Sequence, residues 1–257
     1  MKPLTQVLSA KKAAGEGIFI PYIMAGANGL ARLSDEIQML VENGGTAIEI
    51  GVPFSDPVAD GPVIQLAGIA AREQGTTLKK IVHALQEIHS PVPLILMGYT
   101  NSFFHYGLEQ LVADLATTDV QGFIIPDLPY EHRQMVLPLL ETSKIALIPL
   151  ISLTSPLSRI HQLTKDAEGF VYAVTVNGTT GTGQSYKNSL DEHLRQVTKE
   201  SPIPVLAGFG ISTPEHVRRF LTCCDGAVVG STIVASLKEN GIEATGELVH
   251  QLTEPIR

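Results

Sequence analysis

The 257-residue sequence contains no tryptophan and only two cysteines, and the scarcity of cysteine excludes one class of fold. Cys223 and Cys224 are adjacent, and neighbouring cysteines seldom bridge each other, so no disulfide framework holds this chain together. We therefore expect a protein of the reducing cytoplasm, in which both thiols fill small spaces in the core.

Positive charge and long apolar runs are also scarce. Lysine and arginine total 18 against 26 acidic residues, which gives a formal net charge of −8, and the basic residues are scattered. A surface for nucleic acid or anionic membrane is therefore not expected. No apolar run approaches the roughly 18 residues of a membrane span, and the amphipathic amino-terminal segment lacks the apolar stretch of a signal peptide. A hydrophobic content of 44% with 17% charged residues indicates a globular protein.

Short apolar runs alternate with amphipathic segments along the whole chain. Eight strands are predicted at Ile18–Met24, Thr46–Gly51, Val92–Gly98, Gln121–Pro126, Ile145–Ile151, Gly169–Thr175, Ile203–Gly208 and Gly226–Gly230. Helical patterns lie between them, for example at Leu33–Glu42, Leu78–His89, Leu108–Leu115, Arg133–Leu140, Pro156–Thr164, Leu190–Lys199 and Pro214–Leu221. This alternation indicates parallel strands.

The strand count favours a closed barrel over a doubly wound sheet. No Gly-x-Gly-x-x-Gly follows the first strand. Residues whose side chains could act in catalysis or binding follow several different strands, as in barrels whose loops form the active site. We predict a single α/β domain over residues 1–257, a (β/α)8 TIM barrel. The segment Leu4–Ala14 would be an extra amino-terminal helix that caps the bottom of the barrel.

Two carboxylates, Glu49 and Asp60, stand at the two ends of a Gly/Pro loop. Glu49 lies in an apolar strand, where alternation places it on the face opposite Ile48 and Ile50. If helices cover the isoleucine face, Glu49 points into the centre of the fold, where burial would raise its pKa and suit it to proton transfer. Asp60 would stay ionised and accept a hydrogen bond from a substrate N–H. A buried ion pair for Glu49 and a turn role for Asp60 are the alternatives.

The last two predicted strands end in glycine. Gly208-Phe209-Gly210-Ile211-Ser212 follows the seventh strand, and Gly230-Ser231 leads from the eighth strand into a helix. Backbone N–H groups at such positions can hold a phosphate without a charged side chain. The Gly- and Thr-rich loop Asn177–Ser185 suits a mobile lid or an anion cradle on the same rim. The alternative is that these glycines only turn the chain.

Three tyrosines lie near predicted strand ends: Tyr22, Tyr99 and Tyr172. Either they belong to the core or they line a pocket over the two acids, which would suit a flat substrate with an N–H group. The residues that several other reaction types require do not occur in a suitable arrangement. No lysine stands near a strand end for a Schiff base, no histidines cluster for a metal, and no Gly-x-Ser-x-Gly elbow occurs.

Taken together, these residues resemble the α subunit of tryptophan synthase. The resemblance rests on Ile48-Glu49-Ile50-Gly51, Pro53-Phe54-Ser55-Asp56-Pro57 and Ala59-Asp60-Gly61-Pro62, and further segments follow in family order over essentially the whole chain. It implies a TIM-barrel lyase of tryptophan biosynthesis. The implied reaction is the retro-aldol cleavage of indole-3-glycerol phosphate to indole and glyceraldehyde 3-phosphate.

The resemblance also implies a role for each site residue. Glu49 would be the general acid–base, Asp60 would hold the indole N–H, and Thr180 would help to position Asp60. The indole would be surrounded by Tyr22, Tyr99, Tyr172 and Phe209, and the phosphate would be bound by Gly181, Gly210, Gly230 and Ser231. The chain departs from the family's usual pattern at Met24–Asn28, Ala70 and Val176–Gly181, and none of these includes Glu49 or Asp60.

The implied partner is a tryptophan synthase β subunit in an α2β2 heterotetramer. Loops on the active-site face, including Pro53–Pro57, would make that contact. Pyridoxal phosphate would be bound by the β subunit only, and this chain would carry neither cofactor nor metal. Two other functions stay open: a stand-alone indole-glycerol phosphate lyase, and a non-catalytic barrel that binds a phosphate ligand.

Overall fold

The computed structural model describes residues 1–152, 154–174, 184–208 and 210–256, and describes no side chains over residues 184–188. Within these residues, nine strands form one parallel sheet. They are β1 (Ile18–Met24), β2 (Ile48–Gly51), β3 (Leu94–Met97), β4 (Val120–Ile124), β5 (Ala146–Leu147), β6 (Leu150–Ser152), β7 (Val171–Val174), β8 (Val205–Gly208) and β9 (Gly226–Val229). The order in the sheet is β5-β4-β3-β2-β1-β9-β8-β7-β6.

The two edges of this sheet are the two halves of one extended segment. Ile148 and Pro149 join β5 to β6. The Ile148 N–H donates to the carbonyl of Phe123 in β4 at 2.9 Å, and the Pro149 carbonyl accepts from the N–H of Tyr172 in β7 at 2.9 Å. The sheet therefore closes on itself as an eight-stranded barrel, in which the fifth strand is interrupted where a proline lacks an N–H. The predicted TIM-barrel fold is confirmed.

Side chains alternate between two layers of core. The inner layer fills the barrel and includes Ile20, Ile95, Ile124, Phe170 and Leu206. The outer layer packs between strands and helices and includes Phe19, Leu96, Phe123, Val205 and Val229. Ile48 and Ile50 belong to the outer layer, so Glu49 between them faces the interior, as the alternation predicted.

Within the same described residues, eleven α-helices accompany the strands. They are α1 (Pro3–Ala13), α2 (Leu33–Glu42), α3 (Pro62–Glu73), α4 (Leu78–Glu87), α5 (Thr100–Tyr106), α6 (Leu108–Asp114), α7 (Leu137–Leu140), α8 (Leu157–Thr164), α9 (Gln184–Glu200), α10 (Pro214–Phe220) and α11 (Ser231–Thr253). Short 3₁₀ helices occupy Leu30–Arg32, Tyr130–Met135 and Glu254–Ile256. In the described part of the chain, no helix is both long enough and apolar enough to cross a membrane.

The amino-terminal helix α1 seals the bottom of the barrel, as predicted. Leu4 and Leu8 are fully buried in the inner layer. The Thr5 hydroxyl accepts a hydrogen bond from the N–H of Gly169 at 2.7 Å, and the Lys2 ammonium donates to the Leu140 carbonyl at 2.6 Å. These contacts bind the helix to segments that lie more than a hundred residues away in sequence.

One predicted helix is wrong in detail. The segment predicted as one helix, Arg133–Leu140, is a 3₁₀ helix over Tyr130–Met135 followed by the single turn of α7. Pro138 stands in the first turn of α7. A proline is tolerated there but would interrupt a longer helix, because it lacks an N–H and clashes with the preceding turn.

Candidate active site

Glu49 is buried inside the barrel. Its side chain is 3% exposed, and its Oε2 atom has no hydrogen-bond partner among the described residues. None of the ion pairs within that part of the chain includes Glu49. Burial and, second, the nearby charge of Asp60 raise the pKa of Glu49 to about 8. The carboxyl group is therefore largely protonated at neutral pH.

Asp60 lies in the loop after β2 and is half-buried. Its N–H donates to the Pro57 carbonyl at 3.1 Å, so Asp60 also forms a turn. Burial raises the pKa of Asp60 to about 6, while a hydrogen bond from Tyr99 lowers it. Asp60 is therefore largely ionised at neutral pH, and the two acids hold different charges in one site.

Tyr99 holds the loop that carries Asp60. Its side chain is 1% exposed, and its hydroxyl donates to Asp60 Oδ2 at 3.2 Å and accepts from the N–H of Ala59 at 2.9 Å. The ring stacks on Phe54 with centroids 4.8 Å apart. Tyr99 is predicted to contact the indole. In the structure its hydroxyl lies against Asp60, and Tyr99 is not among the residues that line the two cavities described next.

The smaller cavity, of about 250 Å³, is polar at one end and contains both acids. Its lining residues are Tyr22, Glu49, Asp60, Ile64, Met97, Tyr172, Gly210, Ile211, Ser212, Val228, Gly230, Ser231 and Thr232. Helix α11 begins at Ser231 with no acidic residue in its first turn. The first N–H groups of a helix have no acceptor in the preceding turn and carry a positive potential, so this end of the cavity can hold a phosphate.

The larger cavity, of about 960 Å³, begins on the other side of Glu49. Its inner wall includes the apolar residues Ile124 and Leu150, together with Glu49, Met97 and Tyr172, which also line the smaller cavity. Glu49 therefore stands where the two cavities meet. Sequence reasoning did not single out Met97, Ile124 or Leu150, although Met97 and Ile124 are the last residues of β3 and β4 and all three lie on the face that alternation turns inward.

Tyr22 and Tyr172 each lie over a glycine of a neighbouring strand. A methyl group built on Gly51 would overlap the Tyr22 hydroxyl, and one built on Gly208 would overlap the Tyr172 ring. Burial, with the charges of Glu49 and Asp60, raises the pKa of both phenols well above the usual value. Both hydroxyls therefore stay protonated at physiological pH.

Three predicted site residues, Phe209, Thr180 and Gly181, lie outside the described residues. Of the others, only Tyr99 does not line the smaller cavity. In the part of the chain that the structure describes, no group of three or more His, Cys, Asp and Glu side chains is arranged to hold a metal ion.

Comparisons with known proteins identify the family of this chain. A family model described as tryptophan synthase alpha chain matches residues 8–255. The chain is similar to the tryptophan synthase alpha chains of Streptococcus gordonii, with 55% identity over 240 residues and 93% of each chain, and of Listeria welshimeri, with 47% identity over 253 residues, 98% of this chain and 97% of that one.

Two solved structures are similar over the whole chain. One is tryptophan synthase from M. tuberculosis in an aminoacrylate-bound form, with a TM-score of 0.89, 28% identity and 100% of each chain covered. The other is tryptophan synthase subunit alpha from Legionella pneumophila str. Paris, with a TM-score of 0.90, 27% identity, and 100% of this chain and 98% of that one covered.

The fold and these matches define the class of the protein as a TIM-barrel carbon–carbon lyase. The chain belongs to the tryptophan synthase alpha chain family. Its reaction is the cleavage of indole-3-glycerol phosphate in tryptophan biosynthesis, as the resemblance implied.

Proposed function

We propose that Glu49 performs both proton transfers of this cleavage and that Asp60 stabilises the positive charge on the indole. The observation that carries the proposal is the place of Glu49 between the two cavities. The smaller cavity suits the glycerol phosphate and the apolar inner wall of the larger one suits the indole. The carbon–carbon bond that breaks joins these two parts of the substrate, so it would lie beside Glu49.

The proton count balances on Glu49 alone. In the resting enzyme Glu49 is protonated, because burial raises its pKa to about 8. It gives this proton to indole C3 and forms the indolenine cation. The resulting carboxylate takes the proton of the hydroxyl on the adjoining glycerol carbon. The O–H electrons form the aldehyde carbonyl, and the electrons of the broken carbon–carbon bond restore the aromatic indole. Glu49 ends as it began, protonated.

Asp60 would supply the complementary charge. As an anion it would accept a hydrogen bond from the indole N–H and stabilise the cation formed by protonation at C3. Its position supports this role, because Asp60 lines the smaller cavity while its neighbour Ala59 lines the larger one. The hydrogen bond from Tyr99 would fix the direction of the carboxylate.

The remaining assignments follow from the two cavities and the resemblance. Gly210, Gly230 and Ser231 would bind the phosphate, together with Gly181, and three of these four line the smaller cavity. Tyr172 would contact the substrate beside Glu49. The roles of Thr180, toward Asp60, and Phe209, toward the indole, rest on the resemblance alone.

The partner is a tryptophan synthase β subunit, and the assembly that we propose is an α2β2 heterotetramer with pyridoxal phosphate on the β subunit only. Val58, 84% exposed, and Phe104, 39% exposed, place apolar surface on the same rim as the site, which supports docking there.

We also propose that residues 1–257 form a single domain and that the protein is cytoplasmic, where its two free, buried cysteines would stay reduced.

Indole production from indole-3-glycerol phosphate, measured while β subunit is added, tests this function. We expect activity from the isolated chain and strong stimulation that saturates at one β subunit per chain. High turnover without stimulation would instead indicate a stand-alone lyase.

The variant Asp60→Asn, which removes the charge but keeps the size of the side chain, should lower kcat far more than the affinity for substrate. Unchanged kcat in this variant would contradict the role of Asp60.

A further inference from the structure

The phosphate end of the smaller cavity is assembled from two separate segments, which together we call the phosphate cradle. Residues 210–212 follow β8, and residues 230–232 lie between β9 and the first turn of α11. No lysine or arginine is among the described residues that line this cavity, so a phosphate there would be held by neutral donors. Hydrogen bonds from such donors weaken steeply with distance and angle. The affinity for phosphate therefore depends on how accurately the two segments are placed.

One peptide group of the first segment is held from both sides. The carbonyl of Ile211 accepts a hydrogen bond from the Thr232 hydroxyl at 3.3 Å. The N–H of Ser212, which belongs to the same peptide group, donates to His216 Nδ1 at 3.4 Å. A trans peptide is planar, and its C=O and N–H point in opposite directions. The two side chains together therefore fix the orientation of the Ile211–Ser212 peptide.

The two holding side chains come from different helices. Thr232 stands in the first turn of α11, whose first N–H groups form the other half of the cradle. His216 stands in α10, where its own N–H donates to the capping Thr213 hydroxyl at 3.3 Å. The hydrogen bond from Thr232 to Ile211 thus crosses the cradle from one segment to the other. It sets the spacing between the segments, while His216 sets the direction of the peptide.

Hydrogen-bond chemistry indicates how Thr232 would contribute. A hydroxyl has one proton to donate, and the Thr232 hydroxyl donates it to the Ile211 carbonyl. The oxygens of an ionised phosphate ester only accept, so in this arrangement Thr232 does not also donate its side-chain proton to the ligand. The bond also satisfies a carbonyl oxygen beside the cavity, whose partial negative charge would otherwise repel a phosphate.

We propose that Thr232 and His216 are positioning residues that hold the Ile211–Ser212 peptide and thereby keep the two halves of the phosphate cradle at the spacing that a phosphate requires. This inference rests on the proposed phosphate site. Neither residue takes part in the proton transfers, which remain with Glu49. Loss of either side chain should weaken ligands that carry a phosphate and spare ligands that do not.

The test compares two ligands that differ only in the phosphate. The full chain is titrated by calorimetry with 3-(indol-3-yl)propyl phosphate and with the corresponding alcohol, 3-(indol-3-yl)propan-1-ol. Neither ligand can be cleaved, because neither has a hydroxyl on the carbon next to the ring. Thr232→Val and His216→Phe should each weaken the phosphate ligand by about 3–10-fold and leave the alcohol within about twofold.

Two further variants control for loss of structure. Thr232→Ser keeps the donor and should restore the affinity for the phosphate ligand to within about twofold of wild type. Thr222→Val removes a hydroxyl that donates to the Arg219 carbonyl at 2.8 Å outside the site, and it should change neither affinity.

The double variant tests whether both residues act on one peptide group. If they do, the losses should not multiply, and the double variant should bind the phosphate ligand about as weakly as the weaker single variant. A single variant that weakens both ligands equally, or weakens neither, would overturn the inference and leave the proposed function standing, as would losses that multiply. Wild-type protein that binds the phosphate ligand no more tightly than the alcohol would overturn the proposed phosphate site itself.

Discussion

Glu49 and Asp60 are eleven positions apart in the sequence and share one cavity, yet they hold opposite protonation states at neutral pH. Burial raises both pKa values, to about 8 for Glu49 and about 6 for Asp60. The pair titrates together, so a pH profile reports two apparent values for the site. The form with Glu49 protonated and Asp60 ionised is the one that the proposed mechanism requires.

The pH dependence of kcat/KM should therefore be bell-shaped. Activity rises with pH near 6, as Asp60 loses its proton, and falls near 8, as Glu49 loses its own. Initial rates of indole formation from pH 4.5 to 9.5 measure both limbs. A profile that stays flat down to pH 4.5, or up to pH 9.5, would contradict these assignments.

The variant Tyr99→Phe should move only the acidic limb. The Tyr99 hydroxyl donates to Asp60 and lowers its pKa, so removing it should shift the rise in kcat/KM to higher pH. The alkaline limb, set by Glu49, should stay close to its wild-type position. Tyr106→Phe, which removes a phenol that donates to Asp114 at 2.7 Å outside the site, serves as the control, and an acidic limb that does not move in Tyr99→Phe would show that the hydroxyl does not tune Asp60.

The raised pKa of Glu49 also makes stability depend on pH. The unfolded chain releases this proton near pH 4.5, the ordinary pKa of a glutamate side chain, whereas the folded protein retains it up to about pH 8. Between these values the folded state binds the extra proton, so the free energy of unfolding falls as pH rises. Glu49→Gln should gain about 2–4 kcal/mol over wild type between pH 5 and pH 8. Urea unfolding at both pH values measures the gain, and a pH-independent difference would refute it.

At the scale of elements, periodicity predicted most of the scaffold and some of the site. The predicted segments Ile18–Met24 and Leu33–Glu42 coincide with β1 and α2. Helix α3 was not predicted, because apolar residues also occupy its exposed face, where Leu66 is 57% and Ile69 is 47% exposed, and this hides the helical period. The inward direction of Glu49 follows from alternation, whereas the placement of Tyr99 against Asp60 depends on packing between segments that no local pattern encodes.

Helix α1 acts as a plug, and its inner face should contribute strongly to stability. Leu4 is fully buried and lies where Gly122 and Gly169 leave space at the bottom of the barrel. Leu4→Ala should therefore lower the free energy of unfolding by about 2–5 kcal/mol. Val7→Ala, on the same helix at 39% exposure, should cost about 0.5 kcal/mol or less. Equal effects in urea unfolding would contradict the packing of α1.

At the scale of the molecule, barrel closure assembles the site from distant parts of the chain. Glu49 comes from β2 and Gly230 follows β9, and they meet because β1 pairs with both β2 and β9. Tyr172 comes from β7, two strands beyond β9 in the sheet. The sequence motifs identified these residues as candidates but could not give the distances between them in the fold. The two cavities that meet at Glu49 are lined by side chains from most of the strands, so their arrangement emerged only from the structure.

Single-turnover indole release by Glu49→Gln tests the central claim most directly. If one protonated acid performs both transfers, the variant should bind indole-3-glycerol phosphate within about threefold of wild type and release indole about 10²–10⁴-fold more slowly. Glu36→Gln is the matched control, because Glu36 is also buried but pairs with Asn28 at 2.9 Å outside the site, and it should release indole at the wild-type rate. Wild-type release by Glu49→Gln would contradict the account.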